Sequence, residues 1–239
     1  MAKKQEKAVL SREGNISIHE DTKGSKLVKW LLIALAVAFL IIMLVFPLIT
    51  VVTEAFKKGF AAYSAAVSDP DSVSALLLTL EATVIAVIIN TVFGLFAAWA
   101  VTKFRFKGKK LLVTMIDLPV TVSPIIAGLI YVLTFGRQSA IYPFLESHNL
   151  EVVYAVPGII LATVFVTFPF ISRELLPVLE AQGTDEEEAA AMMGAKGFTI
   201  FRKITLPHIK WALLYGIVLC AARAMGEFGA VSVLSGHLR

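Results

Sequence analysis

Charge is scarce in this chain: Asp, Glu, Lys and Arg make up 17% of its 239 residues, against about 25% in soluble domains. One cysteine, Cys220, excludes an intrachain disulfide and reads as a small apolar residue in a helix. No G-x-x-x-x-G-K-[ST] loop is present to cradle nucleotide phosphates, so ATP hydrolysis by this chain is excluded. The 4 histidines, His19, His148, His208 and His237, are far apart and form no H-E-x-x-H pair, which leaves no zinc site. The net charge of +4 lies in short gaps between apolar runs, without a basic face interleaved with aromatics, and this argues against nucleic acid.

What the chain does have is hydrophobicity, 57% of residues, gathered into blocks. A bilayer core takes about 20 apolar residues per helix, and five blocks reach that length: 30–53, 72–102, 111–135, 152–172 and 211–234. The expected fold is therefore an all-α, polytopic membrane helix bundle. Residues 1–29 form a polar N-terminal tail without a signal-peptide cleavage site. Pro119, Pro124, Pro157 and Pro169 fall in the third and fourth spans, where prolines are tolerated against neighbouring helices or a wet cavity. Gly94, Gly128, Gly216, Gly226 and Gly229 are candidates for close helix approach.

Orientation follows from the short loop after the second span. It carries Lys103, Arg105, Lys107, Lys109 and Lys110 and no acid, and such loops stay on the cytoplasmic side. The N-terminus and the charged stretch 173–210 then share that side, and the base-poor loops fall outside.

Within 173–210, Thr184 with Glu187 three residues on reads as a capping box. Asp185, Glu186, Glu187 and Glu188 favour the positive end of a helix that Gly194 ends in a left-handed cap. A second short helix is expected over 198–204, and the pair reads as a docking element.

Glu188, Ala189 and Ala190, followed at fixed spacing by Gly194, Ile204, Leu206 and Pro207, match E-A-A-x3-G-x9-I-x-L-P. This resembles the EAA motif of permease subunits in binding-protein-dependent ABC importers. Arg223-Ala-Met-Gly-Glu-Phe-Gly-Ala, with Asp117-Leu-Pro and Ser123-Pro-Ile-Ile-Ala-Gly-Leu, is similar to the sulfate and thiosulfate permease subgroup, most closely its W-type subunit; the first of these segments also resembles molybdate permeases. The resemblance implies a multi-pass subunit of the bacterial inner (plasma) membrane that works with a second permease, as a heterodimer, two ATPase subunits and an extracytoplasmic sulfate-binding protein. ATP and Mg would be used by the ATPase partners, with no cofactor bound by this chain. The family has a sixth core span, so the chain is expected to be truncated at its C-terminus, with 235–239 as the cut end and 30–234 as the permease domain. A secondary transporter or channel is the competing class; it leaves the EAA spacing as coincidence.

Arg223 and Glu227 are the charged residues deep in the last span, where ionisable groups are costly and often functional. With Gly226 and Gly229 they are candidates for the oxyanion path, Arg223 supplying positive charge and Glu227 orienting it. A purely structural pair at the interface with the second permease is the alternative. Glu81, Asn90 and Asp117 are expected to face the bundle as hydrogen-bond partners.

Overall fold

The computed structural model describes the backbone of residues 23–235 and side chains from Lys26 onward. Most of the expected tail, including His19, and residues 236–239, including His237, lie outside the described residues. The described residues contain helices and no strand. Internal contacts divide the chain into two units, 1–69 and 70–239.

The first unit holds α1 (Lys23–Leu40), a π-helical turn (Ile41–Val45), α2 (Phe46–Phe56) and α3 (Phe60–Val67). From Lys26 to Phe56 the helical path is long and apolar enough to cross a membrane. Pro47 lies within it; its ring has no N–H to donate and clashes with the carbonyl four residues back. The π-helical turn immediately before it widens the backbone there.

The second unit comprises α4 (Pro70–Lys103), α5 (Lys109–Thr121), α6 (Pro124–Phe135), α7 (Tyr142–Ser147), α8 (Val156–Gln182), α9 (Asp185–Met192) and α10 (Gly197–Ile200). A second π-helical turn (Phe201–Thr205) then leads into α11 (Leu206–Met225), and α12 (Gly229–Ser235) follows. Helix α8 is the centre, packed on α4, α11, α12, α5 and α6. Its Ile171 is clasped from two sides. A Cβ added at Gly94 of α4 would lie 3.1 Å from Ile171 Cβ, and one at Gly216 of α11 would lie 3.2 Å from Ile171 Cα. Lipid is as apolar as a core, so such close backbone contact, rather than expulsion of apolar surface from water, holds membrane helices together. Asn90 pins the same helices: its buried amide donates to Thr167 Oγ1 at 2.8 Å and to the Val164 carbonyl at 3.2 Å. Cys220 is buried in the cluster with Ala98, Ile171, Leu175, Leu179 and Ile209, as a small apolar residue would be.

Three expected spans take other forms. The third is broken, because α5 and α6 meet at 107°. Val122 (ψ 131°) and Ser123 (ψ 134°) are extended at the break, and Ser123 precedes Pro124, whose ring disfavours α-conformation in the residue before it. The fourth starts at Val156, with Pro157 in its first turn, and runs on to Gln182, so residues 173–182 are helix rather than loop. The last span does not continue to residue 234: α11 ends at Met225, and a short break precedes α12. At its other end α11 is continuous with the helix expected at 198–204, and the π-helical turn just before Pro207 repeats the arrangement at Pro47. Among the described residues, four helical paths are thus long and apolar enough to span, or five if the bent pair counts as one.

Of the glycines expected to allow close approach, Gly94, Gly128, Gly216 and Gly229 do so. Gly128 lies against Ala230 and Val233 of α12, and Gly229 against Pro124 and Ile125 of α6. Gly226 does not; only carbonyls of its own helix lie within 4 Å of an added Cβ, and its role is to end α11.

Candidate functional site

Helix α9 carries the first half of the EAA motif. Gly194 has φ +85°, and the amides of Gly194 and Ala195 donate to the carbonyls of Ala191 (2.9 Å) and Ala190 (3.0 Å). This pair of bonds is the Schellman closure, and it demands a left-handed residue that only glycine adopts without strain. Ala190 turns inward and is buried, whereas Glu188 and Ala189 are exposed. Ile204 and Leu206 are half-buried at the foot of α11, and Pro207 is exposed. The apolar side chains at the tip stand out most: Met192 is 90% exposed, Met193 83% and Phe198 75%. By sequence Met192 and Met193 read as helix formers and Phe198 as the start of the second short helix; the signal available for their exposure was two large apolar residues directly before the capping glycine of a polar stretch.

The expected capping box is not made. Thr184 has φ −121° and ψ −5°, outside the usual N-cap conformation, and its hydroxyl forms no cap bond. Glu187 is engaged elsewhere: its Oε1 accepts from Thr205 Oγ1 at 2.6 Å and lies 3.1 Å from Lys103 Nζ. Lys103 also donates to the carbonyl of Gly183, at the C-terminal end of α8. Its side chain is 6% exposed, unlike a solvated base of a cytoplasmic loop. On the other side of α9, Glu186 Oε2 lies 3.4 Å from His208 Nδ1, which is also 2.9 Å from Gln182 Nε2.

The second candidate group surrounds the end of α11. Arg223 Nη1 lies 2.7 Å from Glu227 Oε2; the arginine side chain is 31% exposed and the glutamate 1%. The other oxygen, Oε1, accepts the amide of Ala230 at 2.8 Å and so caps α12. Glu227 therefore sits in the break between two helices, not on a continuous face, and its carboxylate satisfies an amide that the break leaves without a helical partner. Gly226 ends α11 and Gly229 lets α12 close on α6, so the four residues expected together are together.

Asn90 faces the bundle as expected, and Asp117 bonds across helices: Arg173 Nε of α8 donates to its Oδ1 at 2.7 Å. Glu81 instead is exposed. A pocket of about 310 Å³ opens between α5, α6 and α8, lined by Met115, Pro119, Tyr131, Leu161 and Phe165 among others. Its wall is mostly apolar, and Tyr131 carries the one side-chain hydrogen-bond donor among its lining residues. No group of His, Cys, Asp and Glu that could hold a metal occurs among the described residues.

The profile of the family described as "Binding-protein-dependent transport system inner membrane component" matches residues 90–237. The sulfate transport system permease protein CysW of Escherichia coli K12 is 47% identical over 211 residues, covering 88% of this chain and 72% of that protein. CysW of Synechocystis sp. is 48% identical over 211 residues, covering 88% and 76%. The sulfate transport system permease protein CysT of Salmonella typhimurium is 38% identical over 200 residues, covering 84% and 72%.

Proposed function

Since the chain belongs to the binding-protein-dependent transport system inner membrane components, we propose that it is the W-type permease subunit of an ABC importer for sulfate or thiosulfate. The observation that carries the reading is the form of the EAA element. A short helix, closed by Gly194, rests on the bundle through Ala190 and Glu187 and leaves Glu188, Ala189, Met192 and Met193 exposed, with Phe198 of α10 exposed beside them. Small residues allow close approach, apolar ones fill a groove, and a charge fixes register, which suits a helix received by a groove of another protein. In this reading the groove belongs to the importer's ATPase subunit, as the likeness of Glu188–Pro207 to the EAA motif implies.

The remaining partners follow from the same reading. The likeness to CysW and, at lower identity, to CysT supports a heterodimer of two related permeases, served by two ATPase subunits and an extracytoplasmic binding protein. The bases at 103–110 support a cytoplasmic N-terminus and a cytoplasmic EAA element. Arg223 is the candidate for the anion path: it is partly exposed, and passage of a dianion requires a fixed donor to replace part of its hydration. Glu227 holds its position through the ion pair, and Gly226 and Gly229, at the break beside it, are candidates for the same path.

Copurification tests the class. The full complex, with affinity tag on this chain, retains its ATPase subunit, and substitution of Glu188 together with Gly194 releases it while membrane insertion is unchanged. Pairing the complex with a sulfate-binding or a molybdate-binding protein separates the two anions: stimulation of ATP hydrolysis by the molybdate-binding protein alone would move the substrate to molybdate.

A further inference from the structure

Helix α9 is joined by the chain to α8 on one side and, through α10 and the π-helical turn, to α11 on the other. Any displacement of α9 is thus passed to these two helices by covalent connection. Helix α4 has no such link, since its last residue lies 80 positions from Gly183. The geometry points to Lys103, that last residue, as the positioning residue that makes α4 move with the coupling element.

Three features support the assignment. The Lys103 side chain is 6% exposed and that of Glu187 15%, so the pair is largely withdrawn from water, where removing either partner strands a charge. The same ammonium group holds the Gly183 carbonyl at the end of α8, and the same Glu187 oxygen holds Thr205 at 2.6 Å in the turn leading to α11. One cluster therefore gathers the ends of α4, α8, α9 and α11 at a single point. Glu187 has given up the local capping bond that its spacing from Thr184 allows in order to make these long-range contacts. Helix α4 packs along much of α8, so a pull at Lys103 acts on the core of the bundle.

This inference rests on the ABC-importer reading, and its test is built to fail separately. In vesicles holding the complete complex, Lys103→Met with Glu187→Gln leaves no unpaired buried charge and keeps an acceptor for Thr205. The double variant is expected to assemble with its ATPase, yet sulfate taken up per ATP hydrolysed falls about fivefold or more, the size of a modest coupling energy. Lys103→Arg keeps the charge and most of the ratio. An unchanged ratio in the double variant overturns the proposal, and so does a lower yield of complex with the ratio intact, which marks a merely structural tie. A wild-type complex that takes up no sulfate overturns the sulfate reading instead. The tie is then judged from nitroxide labels at Arg105→Cys and Asp185→Cys in a Cys220→Ala background. A narrow distance distribution that broadens in the double variant supports it, and one equally narrow in both refutes it.

Discussion

Replacing Arg223 with Gln leaves the carboxylate of Glu227 without its cation at a side chain 1% exposed to solvent. Removing one partner of a buried pair costs about 3–5 kcal/mol, chiefly because the remaining charge stays desolvated. The lower figure applies, because the stranded carboxylate keeps the Ala230 amide as a donor. About 3 kcal/mol is roughly a hundredfold in the folding equilibrium. Changing Glu227 to Gln in addition removes the stranded charge, and the amide oxygen of Gln can still accept the Ala230 amide that Oε1 accepts now. The double variant should therefore regain most of the loss. Glu227→Ala should not, because it also forfeits the cap, worth about 1 kcal/mol. The yield of assembled complex and its thermal unfolding report stability, and sulfate uptake by the same preparations reports transport. Rescue of assembly without uptake assigns Arg223 to the anion path, and rescue of both leaves a structural pair. A double variant no more stable than Arg223→Gln alone would refute the reasoning, since Glu227 would then not be the source of the cost.

Gly194→Val forces a β-branched residue to φ +85°, where such side chains are strongly disfavoured; the ATPase should be lost on purification while the chain still inserts. Gly94→Ala and Gly216→Ala should each cost about 1–3 kcal/mol by overpacking, read as a lower unfolding temperature in detergent. Ile171→Ala should relieve part of the first, whose nearest contacts include Ile171 Cγ2, but not the second, whose nearest contact is Ile171 Cα. Equal relief in both double variants would contradict the packing described.

Much of the fold can be read from where apolar residues are gathered, because a bilayer-spanning helix is set by length and hydrophobicity. The cap at Gly194 is legible for a similar reason: the glycine closes a run of strong helix formers, and the conformation it takes is local. Breaks inside apolar blocks are harder to see. Ser123-Pro124 and Gly226 are locally consistent with a kink, but nothing local separates a kinked span from two helices at 107°. Helix α6 on the far side of the bend packs against α12 through Gly128 and Gly229, a contact made between residues about a hundred positions apart. Lys103 is the clearest case of tertiary context deciding. Among the five bases of 103–110 it is indistinguishable by sequence from a solvated positive charge; its partner Glu187, 84 positions on, reads equally well as a capping residue. Long-range ion pairing overrode both local readings.

ATP-driven uptake by the reconstituted complex addresses the central claim most directly. This chain, a T-type permease, the ATPase and the sulfate-binding protein are assembled in vesicles, and labelled sulfate is followed with and without ATP at the ATPase. Uptake should require ATP, the binding protein and every subunit, and should disappear with Gly194→Val. Uptake by this chain that proceeds without ATP or ATPase and follows an ion gradient would contradict the account and make the protein a secondary transporter.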